Sequence, residues 1–324
     1  MEVVLSIDIG GTSTKLARVD QDYNVLNTTA IDTTRYMDEE SYFSALYTAV
    51  RTLAGSMKDG EEIVGIGIGA PGGIPIDGTI LGAANLPFSE RVEVVRLFEN
   101  EFEWPCFLTK DSYAAALGEG VAGAAVGMSN FVLITLGTGL GCGIVVNGQV
   151  VHGHTGQAGE IGHTISVENG RECNCGRRGC LETYVSASGI CRTAFELMAA
   201  RKQCSLLRSV PFNQLTAKMV FDAALQQDEL AQEVFLRTGH TLGDKLAELV
   251  TIVEPEAIIL AGGLTNAGAF LTEPAAERME EQLLKSLRGK TQIMLSNLKV
   301  NEAALIGAAA FAWQNLKNVS VCQS

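Results

Sequence analysis

At 324 residues, with 47% hydrophobic side chains and 35 glycines, the chain is long enough for two domains with sizeable cores and many tight turns. Its formal charge of −13, from 24 basic against 37 acidic side chains, excludes a general nucleic-acid binder, which needs a cationic surface to displace counterions. Eight cysteines are too sparse for a disulfide scaffold, and the longest apolar-looking run, 131–146, is broken by glycines and falls short of a bilayer span.

Residues 1–10 hold no cationic leader, and Asp8 interrupts their short apolar stretch, so a cytoplasmic protein without a membrane segment is expected. Within that stretch 3–8 reads as a strand ending at Gly10-Gly11, and 12–19 as its return, a hairpin with a glycine tip. The spacing of Phe43, Leu46, Val50 and Leu53 predicts a helix over 41–57. A strand over 63–68 then runs into Ala70-Pro71-Gly72-Gly73, and the small-residue run 114–127 is the expected hinge region. Next come a strand over 131–136, the turn Gly137-Thr138-Gly139 and a return over 141–146. Helices are predicted over 187–200, 221–237 and 240–254, and a strand over 257–260 ends at Gly262-Gly263. A last helix, 301–313, carries Ala303, Ala304, Gly307 and Ala308 for close packing and is placed to complete the first domain. The succession of strand, glycine turn, strand, helix, strand and glycine pair thus occurs twice. Internal duplication into two similar α/β domains would produce it, and so would apolar strands meeting glycine loops in any α/β protein.

The segment from Asp8 through Gly10, Gly11, Thr12 and Thr14 to Lys15 offers successive backbone N–H groups where bulky side chains are absent. Such concave amide clusters hold phosphate oxygens, the hydroxyls of Thr12 and Thr14 are expected to add bonds, and Asp8 at a strand end is placed for Mg2+. Gly137, Thr138 and Gly139 repeat this chemistry, and two grips suit a polyphosphate such as ATP. Bare backbone at Gly262 and Gly263 suits the adenosine. Neither hairpin is a P-loop or a dinucleotide fingerprint, because no G-x-x-x-x-G-K-[ST] occurs and the glycines do not open a helix. Taken singly, each is an ordinary turn.

His163, Cys173, Cys175 and Cys180 place one imidazole and three thiols in a short segment, a closed tetrahedral set preferred by structural Zn2+. Gly176 and Gly179 let the loop wrap an ion, and Arg171, Arg177 and Arg178 are expected to offset the thiolates. Free thiols in a reducing compartment are the plain alternative.

These residues resemble the ROK family (repressor, open reading frame, kinase), and within it the glucokinase-like sugar kinases, over essentially the whole chain. The resemblance rests on Asp8-Ile9-Gly10-Gly11-Thr12, Gly67-Ile68-Gly69-Ala70-Pro71-Gly72 and Asn85-Leu86-Pro87. Most diagnostic is the stretch from Gly159-Glu160-Ile161-Gly162-His163 through Cys173-x-Cys175-Gly176-x-x-Gly179-Cys180 to Glu182. It implies a two-domain actin-like ATPase (ribonuclease H-like) α/β fold, with sugar and ATP bound in the interdomain cleft, and a homodimer. The smaller domain is expected over 1–122 plus 301–324 and the larger over 123–300. By position Asp111 is the implied catalytic base, and Gly72, Asn85, Lys110, Asp111, Glu160, His163 and Glu182 the implied sugar contacts, His163 doubling as a zinc ligand. Carboxylates and Asn suit hydroxyls that both donate and accept.

One departure stands out. The family has Asn before the catalytic Asp, whereas here Lys110 precedes Asp111, which leaves Lys110 to donate to the same hydroxyl, point away or meet phosphate. Glucose phosphorylation is the leading expectation, with an N-acetylmannosamine or N-acetylglucosamine kinase next and a non-catalytic sugar-sensing protein third. A sugar-responsive repressor of the same family would carry a winged helix-turn-helix ahead of the first hairpin, which here begins at Val3. Without the resemblance, Asp111 would pass for a helix N-cap.

Overall fold

The computed structural model describes residues 1–82, 86–88, 91–299 and 302–322. In chain order come strands β1 (Glu2–Asp8), β2 (Ser13–Asp20) and β3 (Val25–Asp32), helix α1 (Glu39–Gly55), and strands β4 (Glu62–Ala70), β5 (Gly73–Ile74), β6 (Thr79–Leu81) and β7 (Arg91–Val92). Helix α2 (Val94–Phe102), strand β8 (Cys106–Lys110), helix α3 (Asp111–Ala122) and strands β9 (Phe131–Leu136), β10 (Leu140–Val146) and β11 (Gln149–Val150) follow. Then come helices α4 (Glu182–Val185), α5 (Ala187–Ala200), α6 (Ala217–Leu225) and α7 (Glu229–Val253), strand β12 (Ala257–Ala261), helix α8 (Ala269–Gln282), strand β13 (Gln292–Leu295) and helix α9 (Ala303–Cys322). The chain divides into two compact units, Met1–Met128 with Gly143–Ala158 and Asn297–Ser324, and Ser129–Cys142 with Gly159–Ser296.

The first unit is built on a sheet of order β3-β2-β1-β4-β8, in which β1 is antiparallel to β2 and parallel to β4, itself parallel to β8. Alternation along β1 sorts its side chains between two cores. Val3, Leu5 and Ile7 pack with Leu16, Leu46, Val50 and Phe98, so β1 and β2 bury that face under α1 and α2. Val4 packs on the other face with Leu305, Ala309 and Trp313 of α9, where the Ser6 hydroxyl donates to the Leu305 carbonyl. Helices α3 and α9 meet backbone to backbone: a Cβ on Gly307 would lie 1.5 Å from the Ala114 carbonyl oxygen, and one on Gly118 2.1 Å from that of Ala303. The small-residue run read as a hinge is therefore helical through Ala122, packed against the returning C-terminal helix.

The second sheet has the order β11-β10-β9-β12-β13, the same succession as the first: a hairpin strand, its partner, the first strand, then two parallel neighbours. Neither sheet closes on itself, and the fold is α/β with open sheets, as the doubled pattern of strands and glycine turns foretells.

The last helix, expected over 301–313, runs Ala303–Cys322, and the helices expected over 221–237 and 240–254 are divided differently. The break expected near residue 238 is absent, because α7 runs unbroken through Gly239, whose bare Cα faces Pro274 of α8; a Cβ there would lie 2.6 Å from the Pro274 ring. The real stop lies earlier, at Gln227 (φ +63°) and Asp228, whose carboxylate accepts from the N–H groups of Leu230 and Ala231 and caps α7. Among the described residues, no helix is long and apolar enough to cross a membrane.

Candidate active site and metal centre

In the first unit the ends of β1 and β8 carry the two acids singled out from the sequence. Asp8 shares parity with Val4 and Ser6, so it belongs to the face covered by α9 and α3. Burial raises its carboxyl from 3.8 to about 6, with Lys15 lowering it and Asp111 raising it further. Lys15 stands opposite Asp8 in the β1–β2 register. Asp111 is the first residue of α3, at the positive end of the helix dipole, and its Oδ1 accepts from the Ser112 N–H at 2.7 Å. The N-cap position itself belongs to Lys110, whose side chain makes no capping hydrogen bond. The Lys110 ammonium instead lies 5.5 Å from the centroid of the Tyr113 ring.

Gly10 and Gly11 form the tip between β1 and β2, and the Thr12 carbonyl accepts from the Thr33 N–H at 3.0 Å. Thr12 is exposed, but Thr14 is not presented at this tip. Its hydroxyl is fully buried at 2.7 Å from the Tyr42 hydroxyl and 3.0 Å from that of Thr33, because Thr14 has the parity of Leu16 and faces the α1 core. Gly72 (φ +65°) turns the chain from β4 into β5, and its carbonyl accepts from the Leu81 N–H at 3.0 Å. Asn85 lies outside the described residues.

In the second unit the turn Gly137-Thr138-Gly139 is closed by the Gly137 N–H donating to the Gly139 carbonyl at 3.0 Å. Glu182, the first residue of α4, is tied to this turn: its Oε2 accepts from the Leu140 N–H at 3.0 Å and would lie 2.7 Å from a Cβ on Gly139. Gly262 ends β12 with φ +97° and lies so close to the Leu136 carbonyl that a Cβ would sit 2.4 Å from that oxygen. The second hairpin and the Gly262-Gly263 turn therefore converge on neighbouring strand ends. Beside them is a cavity of about 340 Å³ lined by Phe221, Phe235, Gly263, Leu264 and Asn266 among others, apolar on its walls and bare of side chain at Gly263.

The donor atoms of His163, Cys173, Cys175 and Cys180 all lie within 4.8 Å of one another. Nδ1 of His163 faces Cys173 Sγ at 3.7 Å, whereas Nε2 faces the Glu160 carboxylate at 4.0 Å. One ring nitrogen is thus available to a metal while the other points toward a residue implied to hold sugar. The Cys175 thiol is pushed down to about 6, first by the Arg177 backbone N–H, while burial pushes Cys180 up to about 12. Three thiols this close relieve their mutual repulsion only by keeping protons or by sharing a cation, and one nitrogen with three sulfurs is the tetrahedral set zinc takes.

The arginines divide otherwise than expected. Arg177 bonds Cys175, but Arg178 pairs with Glu172 at 2.7 Å. Arg171 turns away from the sulfurs altogether: it donates to Glu196, Thr193 and the carbonyls of Thr183 and Gly189, and stacks 4.4 Å from the Tyr184 ring. It braces the segment between the metal set and α5, a task that its position among three arginines does not reveal.

A sequence model of the ROK family matches residues 4–315. A glucokinase of Halalkalibacterium halodurans is 37% identical over 307 residues, 94% of this chain and 92% of that protein. Among solved structures, a ROK family glucokinase from Streptomyces griseus, in complex with glucose and AMPPNP, matches with a TM-score of 0.79 at 30% identity over 96% of this chain and 99% of that one. A ROK family transcriptional regulator, a homologue of the E. coli MLC protein, matches with a TM-score of 0.86 at 27% identity over 97% of this chain and 78% of that one. From its doubled sheet to its cysteine loop, the chain belongs to the ROK family.

Proposed function

We propose that this chain transfers the γ-phosphoryl group of ATP to a hexose, with glucose converted to glucose 6-phosphate. The observation that carries this reading is the pair Asp8 and Asp111 beside a glycine hairpin, in a chain 30% identical to a glucokinase solved with glucose and AMPPNP.

In this mechanism Asp111 accepts a hydrogen bond from the terminal hydroxyl, aims it at the γ-phosphorus and takes its proton late, since phosphoryl transfer depends mainly on alignment and charge neutralisation. Glu160, the Nε2 side of His163 and Glu182 hold other hydroxyls, so an analogue lacking one leaves a polar group unpaired. Amides of the two hairpins receive phosphate oxygens, and the cavity beside Gly263 takes the adenine. Asp8 is a largely desolvated carboxylate with Lys15 as a neighbouring positive charge, which fits a residue that would hold Mg2+. That ion supplies charge neutralisation to the phosphates when bound. Zn2+ would be held by His163, Cys173, Cys175 and Cys180 and supplies no chemistry, only a fixed loop around Glu160 and Glu182.

Glucose is favoured over an N-acetylhexosamine by the glucokinase names of the relatives above. The enzyme is further proposed to work as a homodimer in the cytoplasm, away from nucleic acid. Release of ADP measured across glucose, mannose, N-acetylglucosamine and N-acetylmannosamine tests the reading. Glucose-dependent ADP release supports it, and ATP left intact with every sugar refutes it.

A further inference from the structure

Tyr113 lies two residues after Asp111, fully buried in the first turn of α3. Its hydroxyl is 2.7 Å from the Ala158 carbonyl, 3.4 Å from that of Gly156 and 3.5 Å from that of His152. Those three carbonyls belong to one closed loop, 152–158, in which the Ala158 N–H donates back to the His152 carbonyl at 3.1 Å. Gly153 and Gly156 adopt positive φ there, and a Cβ on Gly156 would meet the Ile74 Cγ2 at 3.2 Å and the Pro75 Cδ at 3.3 Å. A phenol has one proton to donate, so Ala158 is its principal acceptor and the other two oxygens are held around it. The face of the same ring lies under the Lys110 ammonium.

We propose that Tyr113 is a positioning residue for the hexose. Its ring sets Lys110 next to Asp111, and its hydroxyl fixes the backbone at Ala158, two residues before Glu160 in the chain. This rests on the kinase reading above and extends it: one side chain from the helix that opens with the proposed base also sets the approach to a proposed sugar ligand. Neither contact touches the parts assigned to ATP, so loss of the hydroxyl is felt by the sugar and not by the nucleotide.

Tyr113→Phe, in the full chain with its metal content verified, keeps the ring and removes the bond. Leaving a buried carbonyl unpaired is expected to raise the hexose KM about tenfold. By contrast, kcat and the KM for ATP are expected to stay within about threefold. Amide hydrogen exchange is expected to quicken over 152–160 and to stay unchanged in α3. Unchanged hexose KM and unchanged exchange would overturn the proposal. So would an equal loss in both KM values and kcat with a lowered Tm, which marks general packing. Should Tyr113→Phe fail to fold, Gly156→Ala strains the same loop without altering α3, and a normal hexose KM in that variant counts against the proposal. A parent protein inert toward every hexose refutes the kinase reading alone, and the exchange comparison still decides the role of Tyr113.

Discussion

Asp8, pushed up first by burial, is raised further by the charge of Asp111 and eased by Lys15, so that its carboxyl titrates at about 6 and not at 3.8. Between those two values the folded protein holds a proton that the unfolded chain has released. Stability therefore falls as pH rises through this window and stays lower above it. Asp8→Asn removes the penalty and is expected to stabilise the protein by about 1–2 kcal/mol at pH 7.5, an advantage that fades towards pH 4. Urea unfolding at both pH values measures this. Turnover of the parent should decline as pH drops through about 6, and the variant should lose about a hundredfold or more in kcat. An Asp8→Asn protein no more stable than the parent at pH 7.5 would show that the buried charge is already fully compensated.

Asp111→Asn keeps the size of the side chain and its place at the start of α3 while abolishing its basicity. A general base is worth about 10²–10⁴-fold in rate, so kcat should fall by that much. Hexose affinity by calorimetry should stay within about threefold, because the amide still bonds a hydroxyl. Near-normal turnover would remove Asp111 from the mechanism.

The metal set makes a separate prediction. Cys180 precedes Glu182 by two residues, and the Leu181 N–H donates to the Thr164 carbonyl at 2.9 Å, next to His163. Loosening the ligands should therefore loosen Glu182 as well. Cys175→Ser, at the exposed ligand, should lower bound zinc to well below one per chain. It should also weaken hexose binding about 10–100-fold, the usual consequence of disturbing groups around a metal. Elemental analysis and calorimetry on the same sample read both. Metal lost with hexose affinity intact would uncouple the two.

The second hairpin offers a paired test. A Cβ on Gly139 would lie 2.7 Å from Glu182 Oε2, whereas one on Gly137 would meet nothing within 4 Å. Gly139→Ala should displace the Glu182 carboxylate from the Leu140 N–H, at a cost of about 1–3 kcal/mol in kcat/KM. Gly137→Ala, whose added Cβ reaches neither Glu182 nor Leu140, should leave the hexose KM within about threefold of the parent. Equal effects from the two would mean that the Glu182 contact carries no function.

The parts most readable from sequence were those whose signal is local. The strand-turn-strand order and the crowding of His163, Cys173, Cys175 and Cys180 both survive in the structure. Reading the first hairpin by residue type alone overlooked where the strand begins: β2 starts at Ser13, so Thr12 stays in the turn, whereas Thr14 shares the face of Leu16 and its hydroxyl goes to Tyr42. Strand β3 escaped notice because it is a largely exposed edge whose Asn27, Thr28 and Thr29 give no apolar period. Arg171 and Tyr113 depend on partners far along the chain, Glu196 and Ala158, and no spacing announces such contacts.

Gly239 tests the same point in the opposite sense, since a glycine in mid-helix reads as a break. Alanine at an exposed helical site would stabilise by about 1 kcal/mol. Here the added Cβ would stand 2.6 Å from Pro274 Cγ, 2.9 Å from its Cβ and 3.1 Å from the Ala275 nitrogen. One turn on, a Cβ at Gly243 would meet the Ala275 carbonyl oxygen at 2.5 Å, so the two glycines line a seam that admits the α8 backbone. A rigid ring and main-chain atoms have little room to give, and overpacking costs about 1–3 kcal/mol. The steric term exceeds the helical one, and Gly239→Ala should lower stability by about 1–2 kcal/mol in urea unfolding. Hexose and ATP KM values should stay unchanged, because the seam touches none of the residues assigned to substrate. A more stable variant would mean that α8 shifts freely along α7, and the seam would then be no constraint on the fold.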